Sequence, residues 1–303
     1  MTTTGSISRW VVAARRITVV FALFAALGVG VFAVPQPAQA TASSCGTLPD
    51  PLPAGFVSCW RVTAGFSLML PLFGNSGSNS FDVNWGDGQS TTGITGEAPT
   101  HTFTDAGDYW IVVSGTTRPK VSLAPGVISD DVRNSLIRIA QWGGLALADG
   151  EGAFRGCENL NITATDAPDL TGVSSLKEMF KGAQSLTNPN FSNWNTASVT
   201  NMSGMFREAT LFNGDVTGWD TSRVTDMYEM FFDAESFNQD LNNWNTSSVV
   251  GNGMERMFRG ATLFNGNVSS WDTSGATNMM DMFNSTAAFN QPLNSWNTVN
   301  ETN

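Results

Sequence analysis

The chain has 303 residues, and only 14% of them are charged, against about 25% in typical soluble domains. The formal net charge is −11, and residues 1–40, which hold three arginines and no acid, leave −14 when removed. Such an acidic chain is a poor partner for nucleic acid or for anionic membrane surfaces.

Residues 1–40 have the pattern of a secretory signal peptide. Arg15 and Arg16 precede an apolar run over residues 17–34, and the small-residue site Ala38-Gln39-Ala40 follows. A membrane anchor is the alternative, but the run of about 18 residues is at the short limit for a span. We therefore predict an exported protein, secreted or held at the cell surface, with no membrane insertion after signal cleavage.

Three cysteines follow the signal segment. Cys45 and Cys59 would close a loop of about 15 residues, worth about 3 kcal/mol in an oxidising compartment. Cys157 is expected to be a small buried residue. The sequence leaves open which cysteines pair, so residues 41–60 are predicted to be a linker with a possible disulfide between Cys45 and Cys59.

Residues 61–120 alternate short strands with turn residues. The segment 81–85 alternates apolar and polar side chains and runs into a tight Gly-Asp-Gly turn. The motifs Trp85–Gly88, His101-x-Phe103 and Gly107-x-Tyr109-x-Ile111 resemble those of a polycystic-kidney-disease-type (PKD-like) domain. This resemblance implies an immunoglobulin-like β-sandwich that serves as a spacer or display module.

His101 is the single histidine of the chain, and its place in the motif favours a structural role over catalysis. Four aspartates of this segment could gather around a cation such as Ca²⁺, but their spacing matches no calcium loop, so we predict turn formers. These are Asp82, Asp87, Asp105 and Asp108. No metal site, cofactor or catalytic residue is predicted.

The second half of the chain repeats. Tryptophans recur at intervals of 25, 25, 27 and 25 residues, and a fixed period in the twenties is typical of stacked repeat coils. The series is Trp194, Trp219, Trp244, Trp271 and Trp296. Trp142 and Phe154 extend the register backwards, so residues 121–160 are predicted to be a divergent N-terminal capping coil. Residues 161–303 are then the repeats, with two extra residues near 247–251 and no C-terminal cap.

Each repeat carries a Met-x-x-Met-Phe pattern, as in Met202, Met205 and Phe206. This spacing places the three side chains on one face of a helix, so we predict one short helical turn and one short strand per repeat. Asn201, with its counterparts in other repeats, would be the N-cap. A Phe-Asn pair follows, and its asparagine column is predicted to bond the backbone of the neighbouring coil. The column is Asn188, Asn213, Asn238, Asn265 and Asn290.

These repeats, with the segments 136–143, 152–160 and 164–170, resemble a BspA-like leucine-rich-repeat surface protein. The resemblance implies an exported bacterial protein and names no ligand. We therefore predict a mainly β fold with short helices, in which a PKD/Ig-like β-sandwich precedes a leucine-rich-repeat-like α/β solenoid.

The predicted function is non-enzymatic adhesion, with an unidentified protein or glycan ligand. The candidate binding ladder consists of the residues two positions before each tryptophan. Exposure to solvent alone would also explain why these residues are polar. The ladder is Ser192, Thr217, Asn242, Ser269 and Asn294. The alternative function is a structural spacer or wall component that associates end to end. A glycan-acting hydrolase is a further alternative, but no carboxylate pair is marked by a motif.

Overall fold

The structure, a computed structural model, describes residues 45–73, 80–96, 98–115, 120–121, 128–147 and 150–302. The predicted signal peptide lies outside the described residues. We call residues 45–162 the sheet part and residues 163–302 the repeat stack, and both belong to one compact unit.

Strands dominate the sheet part. They are β1 Phe56–Val62, β2 Ser67–Met69, β3 Leu72–Phe73, β4 Phe81–Asn84, β5 Ser90–Ile94, β6 Thr100–Thr102, β7 Gly107–Gly115, β8 Lys120–Val121, β9 Leu136–Gln141, β10 Ala146–Leu147 and β11 Asn161–Ile162. They form an open six-stranded sheet in the order β11-β9-β1-β7-β4-β5, a three-stranded sheet β10-β8-β3 and a two-stranded sheet β2-β6. The large sheet is mixed, because β9 pairs antiparallel with β1 and parallel with β11.

One helix is present in the described residues, α1 Asp130–Ser135, and it leads directly into β9. Ser129 caps it by accepting from the N–H of Val132, and two aspartates in its first turn suit the positive end of the helix dipole. Its position fixes Arg133, which is buried and donates to the carbonyl of Ile128 over 2.5 Å.

The tight turn after β4 explains part of the glycine pattern. Gly86 has φ +82°, and a Cβ there would lie 2.6 Å from the carbonyl oxygen of Trp110 on β7. Trp85 can therefore be fully buried while the chain reverses against the neighbouring strand. On the other side of the sheet, Cys45 and Cys59 form a disulfide with Cα atoms 6.2 Å apart, packed against Ile137 and Trp110.

In the repeat stack the backbone forms successive turns and isolated parallel bridges, with neither helix nor strand assigned in residues 163–302. The N–H groups of Gly204, Phe206 and Glu208 donate to carbonyls of the next repeat over 2.7–2.9 Å. The N–H groups of the residues between them donate to the carbonyl three residues earlier, over 3.1–3.2 Å. Donors therefore alternate between a local turn and the adjacent repeat.

Left-handed residues explain why this pattern is not a helix. The residue before each Met-Phe pair has positive φ, as in Glu178 (54°), Glu229 (51°) and Arg256 (53°). The residue two after the phenylalanine is also left-handed, as in Glu208 (62°) and Asp233 (53°). The left-handed conformation costs an L-residue about 1–2 kcal/mol relative to the right-handed one. It also turns the backbone away from the right-handed helical path, so the i→i−4 bonds of an α-helix cannot form.

Stacked aromatic rings form the core of the repeat stack. One column has ring centroids 5.6–5.8 Å apart: Phe154, Phe180, Phe206, Phe231, Phe258 and Phe283. A second has centroids 5.7–5.9 Å apart: Phe212, Phe237, Phe264 and Phe289. The tryptophans from Trp194 to Trp296 form a third, with centroids 6.2–6.3 Å apart. The fixed sequence period thus places identical rings face to face.

Polar columns run beside the aromatic ones. The buried hydroxyl of Thr221 donates to the carbonyl of Asn245 in the next repeat over 3.0 Å, and Thr196, Thr246 and Thr273 make the equivalent bond. The indole N–H of Trp219 donates to the Phe191 carbonyl over 2.8 Å, and this bond recurs in the later repeats. These threonine hydroxyls and indole N–H groups are therefore satisfied by a neighbouring repeat.

The predicted asparagine column is confirmed for its later members. The backbone N–H groups of Asn238, Asn265 and Asn290 donate to the side-chain oxygen of the asparagine one repeat earlier, over 2.8–2.9 Å. At the start of the column the N–H of Asn213 donates to the Thr187 carbonyl instead, over 2.7 Å.

The predicted fold class is wrong, although its mainly β character agrees with the structure. The expected β-sandwich is replaced by an open mixed sheet, because β9 and β11 from the predicted cap and first repeat join the strands of residues 56–115. The expected leucine-rich-repeat-like α/β solenoid of helix and strand is replaced by turns and bridges, because left-handed residues interrupt every predicted helical turn.

Candidate functional site

The predicted binding ladder is largely used inside the fold. Ser192, Thr217, Asn242 and Ser269 are half-buried, and Asn294 is exposed. The hydroxyls of Ser192 and Thr217 donate over 2.7 Å to the Asx side chain two residues earlier, which also accepts their backbone N–H. Asn242 accepts from the N–H of Ser270 in the next repeat. These groups close Asx turns and join repeats, which leaves few of them free for a ligand.

Exposed aspartates of the repeats, such as Asp220 and Asp272, also accept hydrogen bonds that close turns. Hydrogen bonds from the Ser222 hydroxyl and backbone N–H hold the pKa of Asp220 below its ordinary value. Ser274 lowers the pKa of Asp272 by the same two contacts. Both carboxylates are therefore turn acceptors, ionised at neutral pH.

His101 lies in the aromatic core of the sheet part. Its ring stacks on Trp85 with centroids 4.9 Å apart and meets the edge of Phe103 at 4.7 Å. Its Nε2 lies 2.7 Å from a carboxylate oxygen of Asp87. Desolvation would raise the pKa of Asp87, but hydrogen bonds from His101 and from the Gln89 N–H outweigh it and lower that pKa.

The four aspartates considered for a cation have separate partners. Asp82 accepts from the Gly93 N–H over 2.8 Å, Asp87 contacts His101, and Asp108 pairs with Arg61 through two bonds of 2.8 and 2.9 Å. Asp105 accepts from the Thr104 hydroxyl. Within the described residues no group of three or more His, Cys, Asp or Glu side chains is placed to hold a metal ion.

Cys157 is fully buried, and burial raises the pKa of its thiol to about 12. A thiol with this pKa stays protonated at neutral pH, so it is a poor nucleophile. Its role is packing in the hydrophobic core, next to the first residues of the stack.

The chemically richest surface is a charged face along the turn edge of the repeats. It centres on the residue that follows each Met-Phe pair, which we call the basic column: Arg155, Lys181, Arg207, Phe232, Arg259 and Asn284. Arginines of this column pair with a carboxylate of the next repeat, Arg155 with Glu178 over 2.5 Å and Arg259 with Asp281 over 3.3 Å. Arg207 contacts Glu229 in the same way.

Phe232 interrupts the basic column and lies between two arginines. The guanidinium carbon of Arg207 lies 4.9 Å from its ring centroid, and that of Arg259 lies 5.5 Å from it. The ring of Phe232 is half-buried, whereas the phenylalanines of the two stacked phenylalanine columns up to Phe264 are buried. Cation–π contacts of this kind hold the two arginines in place.

Charged residues near Phe232 also affect one another's pKa values and form further hydrogen bonds. Burial would lower the pKa of Arg207, but the Glu208 hydrogen bond and the Glu229 charge raise it above its ordinary value. Burial and the nearby Glu208 and Glu235 carboxylates raise the pKa of Asp233. Arg256 adds a bond of 3.1 Å to the Tyr228 hydroxyl. The face is thus a connected network of opposite charges around one aromatic ring.

This face is absent from the predicted functional residues, although the sequence carries a signal for it. The residue after Met-Phe is basic in four of the six copies of the column, at the same register as the phenylalanine beside it. The predicted ladder is instead taken from the residues two positions before each tryptophan. A column-by-column reading of charge would have found the basic column without a structure.

Residues 148–253 and 250–303 match a family model described as Mycoplasma protein of unknown function, DUF285, and together cover just over half of the chain. The chain belongs to this family. The two DUF285 matches overlap at 250–253, next to the two extra residues near 247–251. No curated protein and no solved structure matches the chain. In the described residues, no helix is long and apolar enough to cross a membrane.

Proposed function

We propose that this protein is an exported, non-enzymatic adhesion protein whose charged face contacts another protein. The observation that carries the proposal is the half-buried ring of Phe232 between Arg207 and Arg259. Aromatic residues and arginine are enriched at the centre of protein interfaces, where they account for most of the binding free energy.

The rigidity of the stack supports this proposal. Phe232 follows Phe231, which is fully buried between Phe206 and Phe258 at centroid distances of 5.6 Å. The ion pairs with the next repeat fix the arginine side chains before any partner binds. A pre-organised surface loses little side-chain entropy on association, which favours affinity.

The mixed charge of the face favours a protein partner over a uniformly charged polymer. Carboxylates of Glu229, Glu208 and Asp281 flank the arginines. A partner with complementary charges would gain specificity from this pattern, whereas a polyanion would meet these acids. Export follows from the signal pattern of residues 1–40 and is part of the proposal.

The test uses residues 41–303 on an array of extracellular-matrix proteins and glycans, followed by titration of each binder. We expect saturable micromolar binding to a protein, at least ten-fold weaker for Phe232→Ala. The matched control is Leu211→Ala, which removes an exposed side chain from another column, and it should bind as the wild type does. Absence of any micromolar ligand, or equal losses in both variants, would contradict the proposal.

A further inference from the structure

A cleft of about 350 Å³ lies in the sheet part, between the end of β1 with the turn that follows it and the helix α1. Its volume is in the range of small-molecule sites. The side chains that line it offer nitrogen donors, oxygen acceptors and one aromatic ring. They are Arg61, Thr63, Phe66, Asp131, Asn134 and Ser135. This combination of groups in one concavity favours a small polar ligand.

One wall of the cleft is a face of α1. Asp131 lies three residues before Asn134 and four before Ser135, so the three side chains project from one side of the helix. Ser129 caps the helix, and the side-chain NH₂ of Asn159 donates to the Asn134 carbonyl over 2.9 Å. This wall is therefore held in place by the fold itself.

The opposite wall is the turn between β1 and β2. The N–H of Phe66 donates to the Thr63 carbonyl over 3.1 Å, and the N–H of Gly65 donates to the Phe103 carbonyl over 2.8 Å. The N–H of Phe103 returns a bond of 3.0 Å to the Phe66 carbonyl. The ring of Phe66 is half-buried and packs against the core. An aromatic surface is thus fixed at the edge of the cleft.

Arg61 shows which acceptors the cleft favours. Its guanidinium donates to Asp108 through two bonds of 2.8 and 2.9 Å, while its side chain is still 42% exposed. A guanidinium has further N–H groups, so Arg61 can donate to a ligand as well. The Asp108 carboxylate already occupies the fork that would bind a carboxylate or phosphate, and its charge repels a second anion. Arg61 therefore favours a neutral oxygen such as a hydroxyl.

The oxygen acceptors of the cleft are unused. Asp131 is exposed, and it has no hydrogen bond or ion pair within the part of the chain that the structure describes. The side-chain oxygen of Asn134 is buried and has no hydrogen-bond partner among the described residues. An acceptor in this state is uncommon, and the soft terminal torsion of asparagine lets the amide turn toward a donor. A ligand of this cleft must therefore donate hydrogen bonds as well as accept them.

We propose that this cleft binds one ring of a saccharide. Each sugar hydroxyl can donate and accept, so neighbouring hydroxyls donate to Asp131 and Asn134 and accept from Arg61. The C–H face of the sugar ring packs on the aromatic ring of Phe66. The site lies in the sheet part, so it is separate from the charged face and does not depend on the function proposed for that face.

The probes are glucose, galactose, mannose and N-acetylglucosamine. Each is titrated into residues 41–303 while the amide signals are followed by NMR. We expect saturable binding of at least one sugar in the millimolar range, because one sugar ring is a small ligand. The largest shifts should occur at Thr63, Phe66 and Asn134. Glycine and acetate, which represent zwitterionic and anionic ligands, should leave these signals unchanged at the same concentrations.

Two variants test the assigned contacts. Asp131→Ala removes an acceptor that makes no hydrogen bond within the described fold, so we expect at least ten-fold weaker sugar binding. Phe66→Leu keeps an apolar side chain but removes the flat ring, and it should also weaken binding. The matched control is Glu235→Ala, which removes an exposed carboxylate from the repeat stack and should bind normally. Phe232→Ala should also bind the sugar normally, so failure of the charged-face proposal would not affect this one.

Three results would overturn the inference. The first is absence of shifts at the cleft with every sugar across the millimolar range. The second is shifts from glycine or acetate as large as those from any sugar, which would assign the cleft to a charged ligand. The third is equal sugar binding by Asp131→Ala and the wild type. The wild-type titration stays informative even if Phe66→Leu fails to fold.

Discussion

The sheet part and the repeat stack satisfy the same backbone groups in different ways. In the sheet part, long strand ladders such as β1 with β7 pair seven residues on each side, and most side chains only pack. In the Met-Phe segments of the repeat stack, every second N–H closes a local turn. Buried side chains such as Thr221 add further bonds between repeats. The stack therefore adds bonds from particular side chains to its backbone bonds between repeats, whereas the sheet is held by backbone pairing.

The largest effect expected from this difference follows truncation of a stacked ring. Phe231→Ala leaves a cavity between Phe206 and Phe258 and removes the contact with Phe237, whose centroid is 3.9 Å away. We expect a loss of about 3–5 kcal/mol in the free energy of unfolding, measured by denaturant titration. The exposed Leu211→Ala should cost less than about 0.5 kcal/mol. Similar losses in both variants would contradict a core built on ring columns.

Loss of a bonding side chain comes next. Thr221→Val keeps the shape of the buried side chain but leaves the carbonyl of Asn245 without its donor. The expected cost is about 1.5 kcal/mol, the upper end of what one intramolecular hydrogen bond contributes, because the bond of the buried Thr221 hydroxyl between repeats is lost. Thr102→Val in β6 is the sheet-part control, since its hydroxyl is exposed and β6 is held by backbone bonds. An equal cost at both positions would remove the contrast between the two regions.

A smaller effect is expected from the left-handed turns. Gly182 has φ +74° with room for a methyl group, so Gly182→Ala tests backbone strain alone. We expect a loss of about 1 kcal/mol in thermal or chemical unfolding. Gly96→Ala in the sheet part, where φ is ordinary and the space is open, should be close to neutral. A neutral Gly182→Ala would contradict the left-handed conformation.

The smallest effect is a pH dependence of the sheet part. Because the folded pKa of Asp87 lies below its unfolded value, its contribution is fully present above the unfolded pKa of about 3.9 and is lost as the pH falls through the folded pKa. Asp87→Asn should flatten the stability profile between about pH 5 and pH 2. Unfolding titrations across that range check the slope, and an unchanged slope would show that Asp87 is not coupled to folding.

In the repeat stack, the sequence predicted which residues form the core better than it predicted the backbone conformation. The tryptophan and phenylalanine periods identified the ring columns, and the asparagine period identified an inter-repeat ladder, because identical residues at a fixed period must stack. The helical turn was wrong because Met202, Met205 and Phe206 share one face both in a helix and in consecutive three-residue turns. Apolar spacing cannot separate these, whereas the sign of φ at Gly204 and Glu208 does.

The sheet topology and the charged face were missed for other reasons. Pairing of β9 with β1 joins residues about 80 positions apart, and no local pattern encodes such a partner. The basic column is visible in the sequence as a repeated Lys or Arg, but Phe232 interrupts that repetition. The cluster around Phe232 forms because two arginines from different repeats contact its ring, which the sequence does not show.

Hydrogen-bond scalar couplings in the repeat stack test the central claim most directly. The account predicts NMR couplings from the amide nitrogens of Gly204, Phe206 and Glu208 to the carbonyl carbons of Tyr228, Met230 and Phe232 in the next repeat. Couplings from these nitrogens to the carbonyl four residues earlier would show helical turns and would contradict it.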